Sequence, residues 1–299
     1  MMGAPRIAVL CPVHRRVRVV AAQIDNYHRF HGAAAFHVLH VAQAAEPELT
    51  DLAQHLQTPA EVHLNRDGWM TSQRCVFGAV LSNALYLRRH FAGAYTHVYF
   101  HSDADLLVHG DLPATVTRHA NGFQAVPIRP GWAHWRRCRV DPAFAALLAR
   151  LGLEAAGLSY GRQAGAFFTA ALWEEMIDLA LAVFDRAHFD DPARHWPVEE
   201  VLFPTLARRL LGPGARHGRS IVRTREIDYS KGPDARGHPD NVVRPEDVRA
   251  LIARADGPDD CLGLKWFSPD LDHPARRLLE ETGPERTGGP QRADGATGP

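Results

Sequence analysis

Short apolar runs alternate with amphipathic segments along the first half of this chain. Arg6–Cys11 and Ala35–Val41 have the pattern of buried strands, and Glu61–Asn65 is a shorter third strand. The strongest helical pattern is Thr71–Phe91, whose apolar positions form adjacent stripes. A strand-helix-strand order favours parallel strands that are joined by crossover helices. The sequence therefore predicts an α/β fold of Rossmann-like type, with a mostly parallel central sheet and helices on both faces.

Strand and helix patterns continue in the second half of the chain. Gly122–Ile128 and Gly165–Ala170 are predicted strands, and a loop rich in Trp and Arg is predicted between them. Three helices are predicted after these strands, at Ala171–Arg186, Val198–Leu211 and Pro245–Ala253.

No internal repeat and no linker interrupts the folded part of the sequence. We therefore expect a single domain over residues 1–281. Residues 282–299 are rich in Gly, Pro, Thr and charge and have no apolar periodicity, which predicts a disordered tail. The chain has 299 residues, which is long enough to bury a large core without disulfides or metals to staple it.

The composition excludes several classes of function. Lys and Arg number 34 and Asp and Glu number 34, and the basic residues form no long run, so no nucleic-acid partner is expected. No apolar run approaches the roughly 18 residues of a transmembrane segment, and Met1–Ala8 lacks the apolar region of a signal peptide. The four cysteines form no C-x-x-C pair. We expect a soluble, cytoplasmic protein whose partners are small molecules.

Two carboxylates stand one residue apart where an apolar run stops. Asp103 and Asp105 follow the predicted strand in Tyr95–Gly110, at the position where open α/β sheets bind ligands. Acidic groups there need a cation, a sugar hydroxyl or strong hydrogen-bond donors. Nucleotide-sugar transferases use such a pair to hold a diphosphate, usually through Mn²⁺ or Mg²⁺. The pattern predicts a donor and metal site at Asp103 and Asp105, and the alternative is a turn with two solvated aspartates.

A second candidate site lies at the start of a predicted helix. Glu199 and Glu200 occupy its first turn, where the helix dipole favours carboxylates. The functional interpretation places one glutamate in a cleft beside the sheet, where it accepts a proton from an acceptor hydroxyl. Trp196 nearby suits an acceptor sugar ring. The alternatives are helix capping for the two glutamates and core packing for Trp196.

A third candidate is one of only two lysines in an arginine-rich chain. Lys265 precedes Trp266 and Phe267, and the other lysine is Lys231. A retained lysine can supply a compact point charge, which would neutralise a departing diphosphate. Arg244, just before a predicted helix, would be its partner. The alternative is a surface lysine beside two packing aromatic residues.

Several segments of the chain, in order, resemble the core-2/I-branching β-1,6-N-acetylglucosaminyltransferase and xylosyltransferase family. The first half contributes the segments Pro12-Val13-His14, His40-Val41-Ala42, Gly68-Trp69-Met70-Thr71 and Ser102–Leu107. The second half contributes Gly165–Thr169, Pro197–Leu206, Ile227-Asp228-Tyr229, Gly237-His238-Pro239 and Leu264–Phe267. The chain departs from the family pattern at Ala42, where the family has aspartate, and at Asp103, where it has glycine.

The resemblance implies a GT-A fold and an inverting transfer of a sugar such as GlcNAc or xylose from a UDP-linked donor to a carbohydrate-like acceptor. It implies that Glu200 is the general base. It further implies a donor site formed by the residues Val13, His14, Asp103, Asp105, Arg244 and Lys265. Acceptor contacts would come from the residues Glu199, Trp196 and Tyr229. Because the family can replace the metal by cations, the resemblance leaves metal use by Asp103 and Asp105 open.

Two alternatives to a transferase stay open at the level of sequence. His101, Asp103, Asp105 and His109 together have the residue types of a site in which a metal activates water, which predicts a metal-dependent hydrolase. The other alternative is a protein that binds nucleotide sugars without catalysis.

Overall fold

A computed structural model of the chain describes residues 4–14, 16–42, 49–72, 75–154, 157–224, 242–254 and 261–282. The strands are β1 Ile7–Val13, β2 Ala35–Val41, β3 Glu61–Asn65, β4 His97–Phe100, β5 Asp105–Leu107, β6 Val126–Pro127, β7 Ser159–Tyr160, β8 Phe167–Thr169, β9 Val222–Thr224 and β10 Gly263–Lys265. The helices are α1 Val17–His31, α2 Leu52–His55, α3 Phe77–His90, α4 Leu112–His119, α5 Ala133–Val140, α6 Pro142–Leu151, α7 Ala170–Leu181, α8 Arg186–Phe189, α9 Glu199–Leu211, α10 Pro245–Ile252 and α11 Pro274–Thr282.

The central sheet has five strands in the order β3-β2-β1-β4-β8. Strands β1, β2, β3 and β4 run parallel to one another, whereas β8 runs antiparallel to its neighbour β4. The predicted α/β fold with a mostly parallel sheet is therefore confirmed. The chain moves outward from β1 to β3 and then returns to the other side of β1 as β4. The direction of strand addition thus reverses between β1 and β4, which is where sheets of this type bind ligands.

Alternate residues of β1 pack on opposite faces of the sheet. Ala8 and Leu10 join the largest apolar cluster, which also contains the buried side chains of α3, α7 and α9. Val9 packs with Tyr27 of α1 on the other face. Helices therefore cover both faces of the sheet, as the strand-helix-strand order predicts. None of the helices in the described ranges is long and apolar enough to cross a membrane.

Strand β1 is longer than its sequence pattern predicts. It continues through Pro12 and Val13, beyond the predicted end at Cys11, and Pro12 pairs with His40 of β2. The carbonyl oxygen of Leu10 accepts a hydrogen bond from the backbone N–H of His101, so the backbone groups of Leu10 point toward β4. Pro12 lies two residues further along the strand, so its backbone is oriented the same way. The pairing of β1 with β4 stops at Leu10. Proline is tolerated in this central strand because no partner strand needs its missing N–H.

The segment expected to be one strand ending in Asp103 and Asp105 is divided into two elements. Strand β4 ends at Phe100, and Asp105 begins the separate strand β5 after a turn. Strand β5 pairs antiparallel with β10, and β10 pairs parallel with β9. This second, three-stranded sheet brings Lys265 opposite Asp105 in register, although 160 positions separate them in the sequence.

The loop predicted between residues 128 and 165 contains two helices, α5 and α6. Helix α6 begins after Asp141, whose carboxylate accepts hydrogen bonds from the backbone N–H groups of Ala143 and Phe144. It ends at Gly152, which has a positive φ of 61°. The Asp-Pro start and the glycine stop were available signals. The predicted strand Gly122–Ile128 is largely irregular and contributes only β6.

Several other boundaries differ from prediction. Helix α3 begins at Phe77, not at Thr71, because Ser72 and Cys75 form an isolated bridge before it. The helix predicted as Ala171–Arg186 ends at Leu181, and α8 follows separately. Thr282, the first residue of the predicted tail, belongs to α11, whereas residues 283–299 lie outside the described part of the chain.

Candidate functional site

The ends of β1 and β4 meet through one hydrogen bond at the point where strand addition reverses. The backbone N–H of His14, directly after β1, donates to Oδ2 of Asp103 in the turn after β4 over 3.2 Å. Val13 is fully buried, whereas His14 is exposed and Asp103 is half-buried. Of the residues that the resemblance assigns to a donor site, His14 and Asp103 are therefore brought together at the sheet edge that solvent reaches.

Asp105 lies in the protein interior and has a set of donors of its own. It is 0% exposed, and its carboxylate accepts hydrogen bonds from the backbone N–H of Ser102 over 2.9 Å and the Tyr27 hydroxyl over 3.1 Å. The Gln23 side chain donates to it over 3.2 Å. Buried carboxylates satisfied in this way hold structure together. Solvent does not reach Asp105 in this structure, so its position does not support the donor or metal contact predicted from the sequence.

The four residues of the predicted hydrolase site do not form a cluster that faces solvent. His101 is 2% exposed, and its ring lies 4.6 Å from the Tyr27 ring, beside the buried Asp105. Within the described ranges, no three His, Cys, Asp or Glu side chains are grouped in a way that would hold a metal ion. Asp103 is the carboxylate of the predicted pair that can reach a cation. A single carboxylate fits Mg²⁺ when phosphate oxygens and water supply the other ligands.

Lys265 is the cationic group of the same region. Its Nζ lies 5.1 Å from the centre of the Trp266 ring. Its positive charge lowers the pKa values of both the Cys11 thiol and the Glu199 carboxyl, although burial raises each of them above its usual range. The Lys265 charge thus offsets part of the effect of burial at the end of β1 and at the start of α9.

The backbone around Lys265 is fixed by its neighbours. The backbone N–H groups of Trp266 and Phe267 both donate to the carbonyl oxygen of Ala104 over 2.8 Å. Trp266 has a φ of 80°, a conformation that glycine adopts readily and other residues rarely do. This strained turn ties the end of β10 directly to the turn that carries Asp103.

Arg244 lies at the start of α10, close to Lys265. Its backbone N–H donates to Oδ2 of Asp247 over 2.9 Å, which caps the helix. Asp247 and Lys265 both line a cavity of about 190 Å³, together with Arg223 and Arg254. The structure thus places the helix that Arg244 begins beside the predicted diphosphate-binding lysine.

Glu199 and Glu200 begin α9, as the sequence predicts, but their environments differ. Glu199 is 5% exposed, and burial, followed by the neighbouring charge of Glu200, raises its pKa well above the usual range. The Glu200 side chain is 25% exposed, and its Oε2 lies 3.2 Å from Nε2 of His134. Tyr160 lies beside Glu200, and burial followed by the Glu200 charge raises the Tyr160 pKa to about 12. Glu200 is therefore the more accessible carboxylate, and two side chains orient it.

Trp196 is a core residue in this structure. It is 4% exposed, its indole N–H donates to Oδ2 of Asp141 over 2.8 Å, and its ring packs edge-on against Phe144. No face of the indole is open to a sugar ring, so the predicted acceptor contact is not supported by its position. Tyr229, the other aromatic residue assigned to the acceptor, lies outside the described residues.

A large cavity, which no sequence pattern predicted, lies beside Glu200. Its volume is about 660 Å³. The lining residues are Phe123, Gln124, Ala125, Val126, Trp132, Tyr160, Arg162, His217, Arg219, Ser220, Val222, Arg223, Thr224 and Cys261. The segment of Tyr160 and Arg162 connects the cavity to Glu200, because both residues line the wall and the backbone N–H of Gly161 between them donates to the carbonyl oxygen of Glu200 over 2.8 Å. The Trp- and Arg-rich composition around residue 132 was the one available sequence signal.

Neither a family model nor a curated protein matches the chain. One similar solved structure is 4-diphosphocytidyl-2C-methyl-D-erythritol synthase from Anaerococcus prevotii, at 10% sequence identity and a TM-score of 0.34. The match covers 62% of this chain and 81% of that protein. A similarity at this level carries no argument about function, which has to come from the geometry of the site.

Proposed function

We propose that this protein is a glycosyltransferase that moves a sugar from a nucleotide-diphosphate donor to a hydroxyl of a carbohydrate-like acceptor. The observation that carries the proposal is the contact between His14 and Asp103 where the sheet reverses direction. The Lys265 charge acts on the start of α9, whose next carboxylate, Glu200, is accessible. A cation for a diphosphate and a base for a hydroxyl therefore lie around one edge of the sheet.

The donor would bind with its diphosphate near Lys265 and Arg244. These cations would stabilise the negative charge that builds on the leaving phosphate. Asp103 would accept hydrogen bonds from donor hydroxyls, or hold Mg²⁺ or Mn²⁺ that is bound mainly by the diphosphate. When bound, such a metal supplies further positive charge to the leaving group. From the family resemblance we propose a UDP-linked donor that carries GlcNAc or xylose.

Glu200 would act as the general base. It would take the proton of the acceptor hydroxyl as that oxygen attacks the anomeric carbon from the face opposite the diphosphate, which inverts the configuration. His134 and Tyr160 would hold the carboxylate in position. Burial favours the protonated form of Glu199, so the neighbouring carboxyl is poorly suited to the same role.

A thermal-shift panel tests the donor part of the proposal. The panel contains UDP-, GDP-, CDP- and dTDP-sugars, each with Mn²⁺ and with EDTA, and the free nucleotides serve as controls. At 100 times its Kd, a ligand stabilises the folded state by about 2.7 kcal/mol, which raises Tm measurably. We expect a UDP-sugar to give the largest increase. If no nucleotide sugar raises Tm and none is consumed with any sugar acceptor, the proposal is wrong.

The same panel separates catalysis from simple binding. A transferase releases the nucleoside diphosphate and forms a new glycoside only when an acceptor is present. A donor that raises Tm but is never consumed, across a broad acceptor panel, would favour a binding protein without catalysis.

A further inference from the structure

The cavity beside Glu200 carries a concentration of positive charge. Arg162, Arg219 and Arg223 all line it, and none of the described lining residues is acidic. Arg219 and Arg223 are exposed, and Arg162 is half-buried. This local excess stands out in a chain whose formal net charge is zero.

Three guanidinium groups around one cavity create a positive potential that favours the binding of an anion there. Arginine presents a planar fork of N–H donors that matches a carboxylate or a phosphate, often through two parallel hydrogen bonds. The rest of the wall includes the rings of Trp132 and Tyr160, which lie edge to face with centroids 5.8 Å apart. Aromatic surface next to cationic forks fits a ligand with both a ring and an acidic group.

The cavity lining includes none of the predicted donor contacts, although Arg223 also lines the smaller cavity that contains Lys265. The lining of the larger cavity comes from residues 123–126, 132, 160, 162, 217, 219, 220, 222–224 and 261. His14 and Asp103, at the strand ends, belong to a different part of the chain. On the cavity side, the backbone N–H of Gly161, between Tyr160 and Arg162 of the lining, donates to the carbonyl oxygen of Glu200 over 2.8 Å, so the cationic wall and the proposed base are directly connected.

We propose that the acceptor is an acidic carbohydrate, a sugar that carries a carboxylate or a phosphate, and that it binds in this cavity. Arg219 and Arg223 hold the acidic group, and the reacting hydroxyl lies at the Tyr160 side, toward Glu200. This inference rests on the proposed transferase function, because it assigns the cavity to the acceptor of that reaction.

Binding of matched sugars tests the inference without turnover. Glucuronate, glucose 6-phosphate and glucose are titrated into the full chain at low salt and followed by NMR chemical shift or calorimetry. We expect at least one acidic sugar to bind about tenfold more tightly than glucose, and the advantage to shrink as ionic strength rises. The comparison of the two acids distinguishes a carboxylate site from a phosphate site.

The matched variants are the double substitution Arg219→Gln and Arg223→Gln, and Arg150→Gln as control. Arg150 is an exposed arginine near the end of α6, outside the cavity lining. The double variant should lose about tenfold or more in affinity for the acidic sugar, as expected for lost charge-assisted hydrogen bonds, and none for glucose. The control should keep wild-type affinity for both.

Two results would overturn the inference. One is equal affinity of wild type for glucose and for both acidic sugars. The other is competitive displacement of the acidic sugar by UDP, which would make the arginines diphosphate contacts.

Transfer assays separate this inference from the proposed function. Consumption of a nucleotide sugar with neutral acceptors alone would overturn the acidic acceptor and leave the transferase standing. Arginine-dependent binding of an acidic sugar, in a protein that neither binds nor consumes any nucleotide sugar, would overturn the transferase and with it the acceptor role of the cavity.

Discussion

Two aspartates one residue apart have opposite environments in this protein. Asp103 lies in a half-exposed turn and accepts the backbone N–H of His14, whereas Asp105 is buried under donors from Gln23, Tyr27 and Ser102. The family resemblance assigned both aspartates to the donor site, because the sequence of a motif carries no information about burial. The geometry favours Asp103 for that role.

Substitution of each aspartate by Asn should separate the two roles. Asp105→Asn keeps the shape but places an amide against three donors, so we expect the free energy of unfolding to fall by about 3 kcal/mol. Asp103→Asn should leave stability unchanged and weaken donor binding about tenfold. Urea denaturation and donor titration measure the two effects. Equal stability of both variants would contradict the structural role of Asp105.

Glu200→Gln is the direct test of the general base. The variant keeps the hydrogen-bonding shape but cannot take a proton, so we expect transfer to fall by about 10² to 10⁴-fold with donor binding nearly intact. Glu199→Gln is the matched control, because the buried Glu199 already favours its protonated form. Initial rates and donor titration are measured on both variants. Near-normal turnover in Glu200→Gln would remove the base from the proposed mechanism.

At the scale of elements, the short strand β10 connects the cationic and acidic parts of the site. Lys265 lies opposite Asp105 in the backbone pairing of β10 with β5. The backbone N–H groups of Trp266 and Phe267 both donate to the carbonyl oxygen of Ala104, so Lys265 is positioned by the same turn that carries Asp103. A strained φ at Trp266 is retained within this connection. The arrangement explains how a lysine near the end of the folded chain reaches a site formed by its first half.

Lys265 variants test whether this strand serves the leaving group. Lys265→Ala should lower the transfer rate by about tenfold or more, and Lys265→Arg should recover only part, because a planar fork cannot approach as a point charge does. If metal and lysine share the neutralisation, the loss should be larger in EDTA than in excess Mn²⁺. Transfer rates are measured under both conditions. If the transfer rate of Lys265→Ala is unchanged in EDTA and in Mn²⁺, Lys265 does not serve the leaving group and only packs beside the aromatic residues.

The sequence predicts elements well where local signals agree with tertiary structure. Strands β2 and β3 have the predicted bounds, because turn residues delimit short apolar runs. Long-range pairing is what local patterns miss. The pairing of β5 with β10 and the burial of Trp196 against Asp141 depend on partners distant in sequence. The acidic pair and the start of α9 were found as motifs, whereas the arginine-lined cavity comes from loops without a periodic signal.

At the scale of the whole molecule, buried histidines link stability to pH. His31, His37 and His40 are each at most 5% exposed, and burial lowers the pKa values of His31 and His40 to about 4 and that of His37 well below its usual range. No partner is found for either ring nitrogen of His37 or His40 within the described residues. Their neutral forms are therefore built into the folded state.

Acid should destabilise this protein before its carboxylates titrate fully. In the unfolded chain these histidines protonate below pH ~6.5. In the folded state His31 and His40 resist protonation until about pH 4, and burial lowers the pKa of His37 well below its usual range. The stability that these histidines confer is present above pH ~6.5 and is lost as the pH falls toward 4, by roughly 3 kcal/mol each for His31 and His40.

Urea denaturation at pH 7 and pH 5 measures this loss. His37→Leu removes one titrating group and should make the dependence on pH shallower, with the exposed-surface variant His90→Leu as control. If the free energy of unfolding changes equally between pH 7 and pH 5 in wild type and in His37→Leu, the proposed link between buried His37 and acid stability is wrong.

Pro12 gives the sheet a property that concerns ligand access. Beyond Leu10 the two strands at the reversal point no longer pair, and the residue facing the gap has no N–H with which to resume the ladder. The backbone hydrogen bonding between these two strands therefore cannot continue through Pro12. A ligand that enters this gap binds a conformation that the free protein already adopts. Its apparent affinity is therefore not reduced by a fraction of molecules in a closed conformation. Association at this edge should then be limited by encounter and orientation rather than by the opening of the sheet.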